Sequence, residues 1–343
     1  MTNLQTRYLA EFEMPRVVPL GPNLYAAAFF LMKLLPARYI LERALERGDI
    51  CEGTHICETS SGTFALALAM ITARMENRLT IVSDWALEPT LKRRLVELGA
   101  EVEIVTQAHP HGGLQKARLD RLNEILAQSP SHFWPRQYDN PDNPRAYGSV
   151  AAKLVDRIGQ IDCLVGTVGS GGSLCGTASY LRLLFPDMVV IGVDTINSVL
   201  FGQPDAPRLV RGLGGSVIPS NVDHTLIDEV HWLSAAEIFQ ATRQLHSQTG
   251  LFMGPTSAAA HKVASWWAAH NDDKTVVILM PDEGHRYADS AYDDDWLNSK
   301  VPRWRSVCSD RPVTITNPHA DLAQWTRLEW GRRPRSDVIA QSL

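Results

Sequence analysis

Lys33 stands among apolar side chains in FFLMKLLPAR, residues 29–38. A buried ammonium is costly unless it is paired or gives up its proton. Two readings follow. The long stem can carry the charge out to water. Alternatively, desolvation favours the free amine, which is a nucleophile for covalent chemistry. A second stretch, ETSSGTFALALA at 58–69, places Ser60, Ser61, Gly62 and Thr63 just before an apolar helix. Exposed N–H groups and hydroxyls there make a seat for a carboxylate. Ser60 or Ser61 as a plain helix cap would use the same residues. A third, LVGTVGSGGSLCGTASYLR at 164–182, turns through Gly169, Ser170, Gly171, Gly172 and Ser173 into a helix. Glycines admit an anion close to the backbone, and the helix start adds partial positive charge, so this is a phosphate cup on physical grounds, the other reading being a glycine-rich tight turn without a ligand. No Lys–Ser/Thr pair follows, which excludes a Walker loop. Counted from Gly169, the third glycine of a dinucleotide fingerprint falls on Leu174, although Asp194 ends the next strand as a ribose-binding acid would. In ILMPDEGHRY, 278–287, Asp282 and Glu283 sit at a strand mouth. An acid there binds a protonated ring nitrogen or faces solvent.

These residues need elements to position them. From residue 54 to 280, short apolar runs alternate with helical patterns: THICE, then FALALAMITAR; LTIVSD, then EPTLKRRLVELGA; EVEIVT, then GLQKARLDRLNEILA. IDCLVGTV, MVVIGVD and KTVVILMP continue the series. Near-continuous apolar strands fit parallel pairing covered on both faces. The expected class is α/β with open, mostly parallel sheets flanked by helices. Ligands in such sheets bind at the carboxyl ends of strands, where the Gly/Ser/Thr-rich exits lie. The last forty residues, rich in Arg, Trp and Pro, lack this rhythm. They read as a tail packed on the surface or on a partner subunit.

Composition narrows the classes. The 343 residues suffice for two domains, and 45% hydrophobic content supports a sizeable core. A net charge of −5 with scattered basic residues argues against nucleic acid and acidic membranes as partners. No apolar run is long enough to predict a spanning helix, and MTNLQTRYLAEFEMP lacks a secretory plan. Five cysteines at irregular spacing fit reduced thiols in a cytoplasm. His109 and His111 flank a proline without a Cys or acid at ligand spacing, so no metal is expected. No G-x-S-x-G elbow supports a serine hydrolase.

A lysine able to work as an amine, a carboxylate seat, a phosphate cup and a ring-nitrogen partner are the parts of a pyridoxal phosphate site. From about residue 15 to 297 the chain resembles the fold-type II pyridoxal-phosphate enzymes of the cysteine synthase and cystathionine β-synthase group. KLLPARYILERALERGDI is similar to the family helix that carries the cofactor lysine, at Lys33. Ser60, Ser61 and Gly62 match its substrate-carboxylate loop, and residues 169–173 match its phosphate loop. Gln137 in RQYDNPDNP matches a glutamine near the substrate. Glu283 falls where a residue faces the pyridine nitrogen. HGGLQKARLDRLNEIL, VDTINSVLFGQP and RGLGGSVIP resemble the siderophore-type branch that makes N-(2-amino-2-carboxyethyl)-L-glutamate.

The resemblance implies a tryptophan-synthase-β-like architecture. Residues 1–39 and 151–300 would form a larger cofactor domain, 40–150 a smaller mobile domain, and 301–343 a C-terminal tail. It implies β-replacement on O-phosphoserine or O-acetylserine through an α-aminoacrylate, with glutamate or a thiol or sulfide as nucleophile, in a homodimer. β-Elimination of the ammonia-lyase or desulfhydrase type, an NAD-dependent oxidoreductase and a non-catalytic relative stay as alternatives. The chain departs from the family in three places. AAAFFLMK is shorter than the usual N-P-G-G-S approach, Thr63 replaces an asparagine at the cofactor's phenolic oxygen, and Glu283 replaces a serine.

Overall fold

Short apolar runs become strands, and the amphipathic stretches between them become helices, as the alternation predicts. The computed structural model describes residues 7–85, 87–307, 309–320 and 322–337. It divides into two compact units, a smaller one of residues up to 14 and 31–146, and a larger one of 15–30 and from 147 onward. The sequence boundary was expected at 39/40, but residues 31–39 cluster with the smaller unit. The reason is local. The helix that starts at Leu34 buries Leu34, Ala37, Ile40, Leu41 and Ala44 in that unit's core.

In chain order, α1 (Arg7–Glu13) belongs to the smaller unit. β1 (Arg16–Pro19) and β2 (Leu24–Ala28) form an antiparallel pair in the larger one. The smaller unit continues with α2 (Leu34–Arg47), β3 (His55–Thr59), α3 (Thr63–Met75), β4 (Leu79–Asp84), α4 (Pro89–Glu97) and β5 (Glu101–Val105). It ends with α5 (Gly113–Leu126), β6 (His132–Phe133) and α6 (Asp142–Arg145). Its sheet has the order β5-β4-β3-β6 and is parallel throughout. All six residues of β4 are buried, and Phe64, Leu66, Leu68 and Ile71 of α3 pack with Ile56 and Ile81. Each such side chain contributes about 1.5–3 kcal/mol on burial.

The larger unit resumes with α7 (Gly148–Ile158), β7 (Cys163–Thr167), α8 (Gly172–Leu184), β8 (Val189–Thr195), β9 (Glu229–Leu233), α9 (Ala235–Thr249) and α10 (Pro255–Ala269). β10 (Val276–Met280), α11 (Asp294–Lys300), β11 (Val313–Thr314) and β12 (Thr326–Glu329) complete it. Its sheet runs β1-β2-β10-β7-β8-β9-β12-β11, with β2, β10, β7, β8 and β9 mutually parallel. β7 and β10 are buried at every position, which parallel pairing under two helical layers requires.

The C-terminal segment corrects the expectation of a tail. Residues 326–329 form β12, antiparallel to β9, and so extend the large sheet. Trp325 and Trp330, on either side of it, are almost fully buried. The Trp325 indole donates to His231 Nδ1 at 3.0 Å, and its backbone N–H donates to Glu237 Oε1 at 2.7 Å. The pairing partner lies far upstream in the chain, so local periodicity carries no trace of it. Among the described residues, no helix is long and apolar enough to cross a membrane. The described cysteines, Cys51, Cys57, Cys163 and Cys175, are free thiols.

Candidate active site

Two neighbouring parallel strands of the larger unit, β7 and β10, end at the same edge of the sheet. Beyond β7 the chain turns through Gly169 and Ser170 to Gly171, which adopts the left-handed conformation at φ +83°, and α8 begins at Gly172. No side chain caps this helix start. Its first N–H groups therefore stay available to an anion, with the Ser170 and Ser173 hydroxyls beside them, both largely buried. The turn is held from behind. Gly214 N–H donates to Val168 O at 2.8 Å, and a Cβ on Gly169 would lie 3.0 Å from Gly212 O. RGLGGSVIP is thus the backing of this turn.

Beyond β10 come Asp282 and Glu283. Asp282 is buried and accepts the Tyr287 hydroxyl at 2.8 Å. Glu283 is partly exposed, and its carboxylate lies 3.6 Å from the exposed His285 ring. Of the two acids, Glu283 is therefore the one presented outward from the sheet. Its N–H donates to Phe30 O at 3.4 Å, while Phe29 N–H donates to Met280 O at 3.0 Å. These bonds tie the exit of β2 to the exit of β10. Lys33 follows Phe30 by three residues in the chain.

In the smaller unit, Lys33 immediately precedes α2 and its carbonyl accepts from Ala37 N–H at 3.2 Å. It is partly buried, whereas Leu31, Met32, Leu34 and Leu35 are buried almost completely. At the carboxyl end of β3, the Ser60 hydroxyl accepts from Gly62 N–H at 3.2 Å and Ala65 N–H at 3.3 Å. Ser60 thus shapes the turn, and Gly62 precedes Thr63 at the start of α3 without a side-chain cap. Gln137 joins this group, because its Nε2 donates to Thr59 O at 3.0 Å. Ser60, Ser61, Gly62, Thr63 and Gln137 therefore form one cluster within the smaller unit.

Two features escaped the sequence reading. Glu58 is fully buried under the serine turn and accepts from Thr59 N–H, Gln137 N–H and the Trp134 indole at 2.7, 3.2 and 3.0 Å. Burial pushes its carboxyl up to about 7, against those donors. At the end of β4, Asp84 lies 3.1 Å from Nη1 of Arg118 on α5, and both side chains are buried. Among the described residues, Arg118 Nε makes no hydrogen bond, and Nη1 makes none beyond this ion pair. The available signal in both cases was an acid closing an otherwise apolar strand, in THICE and LTIVSD.

Asp194 takes a different role from the ribose acid considered above. It is fully buried and accepts from Thr195 N–H at 2.7 Å and from the Ser198 hydroxyl. It braces the loop after β8 and has no surface for a ribose, which removes the support for a nicotinamide site. Burial pushes its carboxyl up to about 7. Between about pH 4 and that value the folded state keeps a proton that the unfolded chain has lost. This contribution to stability is therefore complete below about pH 4 and is lost as pH rises to about 7. Asp194→Asn keeps the acceptor and removes the charge. It is expected to raise Tm at mildly alkaline pH, with the gain shrinking as the buffer is acidified. A gain that grows on acidification would refute this assignment.

Residues 32–282 match the family model described as pyridoxal-phosphate dependent enzyme. The N-(2-amino-2-carboxyethyl)-L-glutamate synthase of Ralstonia nicotianae is 38% identical over 267 residues, covering 76% of this chain and 78% of that protein. A hydrogen sulfide-producing enzyme from Fusobacterium nucleatum superposes with a TM-score of 0.76 at 26% identity, covering 84% of this chain and 100% of the other. An O-acetylserine dependent cystathionine β-synthase from Helicobacter pylori gives 0.72 at 26% identity, covering 82% and 92%.

Proposed function

The chain belongs to the pyridoxal-phosphate dependent enzyme family, and from that premise we propose that it replaces the β-substituent of an O-activated L-serine with an amine, L-glutamate first, or with a thiol or sulfide. The observation that carries the reading is the uncapped start of α8 behind Gly169–Ser173, beside the strand that ends in Glu283. These residues fit the cofactor. A phosphate suits the N–H groups at the uncapped start of α8, and a carboxylate suits a protonated pyridine nitrogen. When bound, the cofactor supplies an electron sink for a carbanion at the substrate Cα.

The chain's own residues do the rest. Gly169, Ser170, Gly171, Gly172 and Ser173 hold the phosphate. Glu283 keeps the proton on the ring nitrogen, which a serine would do less strongly. Thr63 faces the phenolic oxygen. Ser60, Ser61, Gly62 and Thr63 bind the substrate carboxylate, and Gln137 fixes their loop. Lys33 is the covalent anchor, and once displaced its amine takes the proton from Cα. At the head of α2 a fixed cation is disfavoured by the helix dipole, which suits that task. Arg118 supports an acidic nucleophile, because its buried guanidinium has donors left over for a carboxylate. The proposal includes a homodimer, for which the exposed Leu183 and Leu184 of α8 offer apolar surface, and a cytoplasmic setting, which suits the free thiols.

The test is an absorbance titration of the purified holoenzyme. O-phospho-L-serine or O-acetyl-L-serine is expected to shift the cofactor band. L-glutamate, or failing that sulfide, is expected to restore it with release of a joined product. Pyruvate and ammonia at an unchanged rate with and without nucleophile would make the enzyme a β-eliminase. No shift with any β-substituted serine would remove the proposed reaction altogether.

A further inference from the structure

At the amino-terminal end of β3, away from the serine turn, three side chains with metal-binding atoms converge. His55 opens β3 and is the register partner of His132, which opens β6. Cys57 lies two residues on, so its thiol points to the same face of the sheet as His55. One donor atom of each of the three lies within 4.8 Å of the others, and the two imidazoles meet edge to face at 4.7 Å between centroids. Ser60, at the opposite end of the strand, is about 16 Å away along the chain at ~3.3 Å per residue.

The hydrogen bonds around the cluster fix where its lone pairs are. Thr80 Oγ1 donates to Glu101 Oε2 at 3.2 Å, so it must accept from His55 Nε2, which lies 2.8 Å away. The His55 proton is therefore on Nε2, and Nδ1 carries the lone pair. His132 Nδ1 lies 3.1 Å from Ile125 O, and a carbonyl only accepts. The His132 proton is therefore on Nδ1, and Nε2 carries the lone pair. Each imidazole is thus held from behind by an oxygen acceptor, and the His55 acceptor is backed by a carboxylate. Metal-ligating histidines are supported in this way. Cys57 is fully buried, with its thiol within 4.8 Å of the imidazole ligand atoms, and is the register partner of Thr80.

We propose that His55, Cys57 and His132 form a site for a transition-metal cation, Zn2+ in the first instance, separate from the candidate active site. Two imidazoles and a thiolate are ligands for a borderline-soft ion and poor ones for Mg2+ or Ca2+. Ligand atoms on a tetrahedral zinc stand ~3.3–3.8 Å apart, so the cluster contracts by about 1.5 Å at most on binding. The thiol proton leaves to solvent as the sulfur–metal bond forms. The two histidines are only partly buried, which leaves the fourth position to water. The sequence reading weighed only His109 and His111, because the pairing of β3 with β6 is not visible in local spacing.

The test uses the full-length holoenzyme, treated with a chelator and titrated with Co2+. One equivalent is expected to give the ligand-field bands of tetrahedral Co2+ and a thiolate-to-metal charge-transfer band, both removed by Zn2+. Cys57→Ser is expected to lose the charge-transfer band. His132→Asn is expected to weaken Co2+ by about tenfold or more, with cofactor absorbance unchanged in both. Absence of stoichiometric binding, or a charge-transfer band that survives Cys57→Ser, overturns the site. Should Cys57→Ser fail to fold, His132→Asn decides alone, and unchanged Co2+ affinity in that variant overturns the site.

Discussion

Lys33→Ala is expected to give a folded protein that holds pyridoxal phosphate only non-covalently and turns over about 10^3-fold more slowly or worse. The chain has seven lysines. Lys116 pairs with Asp120, and Lys274 lies 3.4 Å from Asp273. Lys92 and Lys300 are exposed. Lys262 is partly buried like Lys33, but it donates to Ser309 O at 2.7 Å and sits 4.9 Å above the Trp325 ring. Those contacts hold an ammonium in place and suit a structural cation. Lys153 lies on α7, in a helix interior remote in sequence from any strand exit. Lys33 alone follows a parallel strand within five residues in the chain, coming just after β2 ends at Ala28, and ligands of open sheets bind near such strand ends. Its neighbours Leu31, Met32, Leu34 and Leu35 are buried, so the variant removes no core side chain. The check is borohydride reduction followed by peptide mass analysis. The wild-type protein should carry the cofactor mass on the Lys33 peptide, and the variant on none. A label on the Lys262 peptide would defeat the assignment.

What could be read in advance follows from how local each signal is. β7 and β10 are apolar at nearly every position, and that alone marks strands covered on both faces. The turn at Gly169–Ser173 is equally local, because its glycines, its hydroxyls and the helix that follows are contiguous. Asp194 shows where this kind of reading fails. An acid at a strand end looks the same in sequence whether it faces a ribose or is buried, and only the packing of Ser198 and Gly214 around it decides. Arg118 with Asp84, Gln137 with Thr59, and His55 with His132 are joined across the sheet or through a helix. No periodicity records such partners. Of these, the resemblance to known enzymes supplied only Gln137. β12 was missed for the same reason, since its register with β9 is set by tertiary contact.

The second large effect is expected at Gly171. Its φ of +83° costs a residue with a side chain about 1–2 kcal/mol. Space is a further and separate constraint. A Cβ there would lie 2.4 Å from Asn221 O and 2.6 Å from Val222 N, and both are backbone atoms that cannot rotate away. Gly250 separates the two effects, because it is left-handed at φ +74° and ψ −5°, close to the +83° and −23° of Gly171, with nothing within 4 Å of its Cβ. Gly250→Ala should therefore show the conformational cost alone, as a modest fall in Tm with cofactor affinity unchanged. Gly171→Ala adds a displacement of the turn or of the 221–222 segment, worth about 1–3 kcal/mol. That shift moves the first N–H groups of α8, which are the proposed phosphate ligands. Cofactor affinity should fall by up to ~100-fold on that scale. The comparison is made by titrating pyridoxal phosphate into both apo-variants and following absorbance. If Gly171→Ala binds the cofactor as tightly as Gly250→Ala, the phosphate does not rest in this turn. The assignment of Ser170, Gly172 and Ser173 would then fall with it.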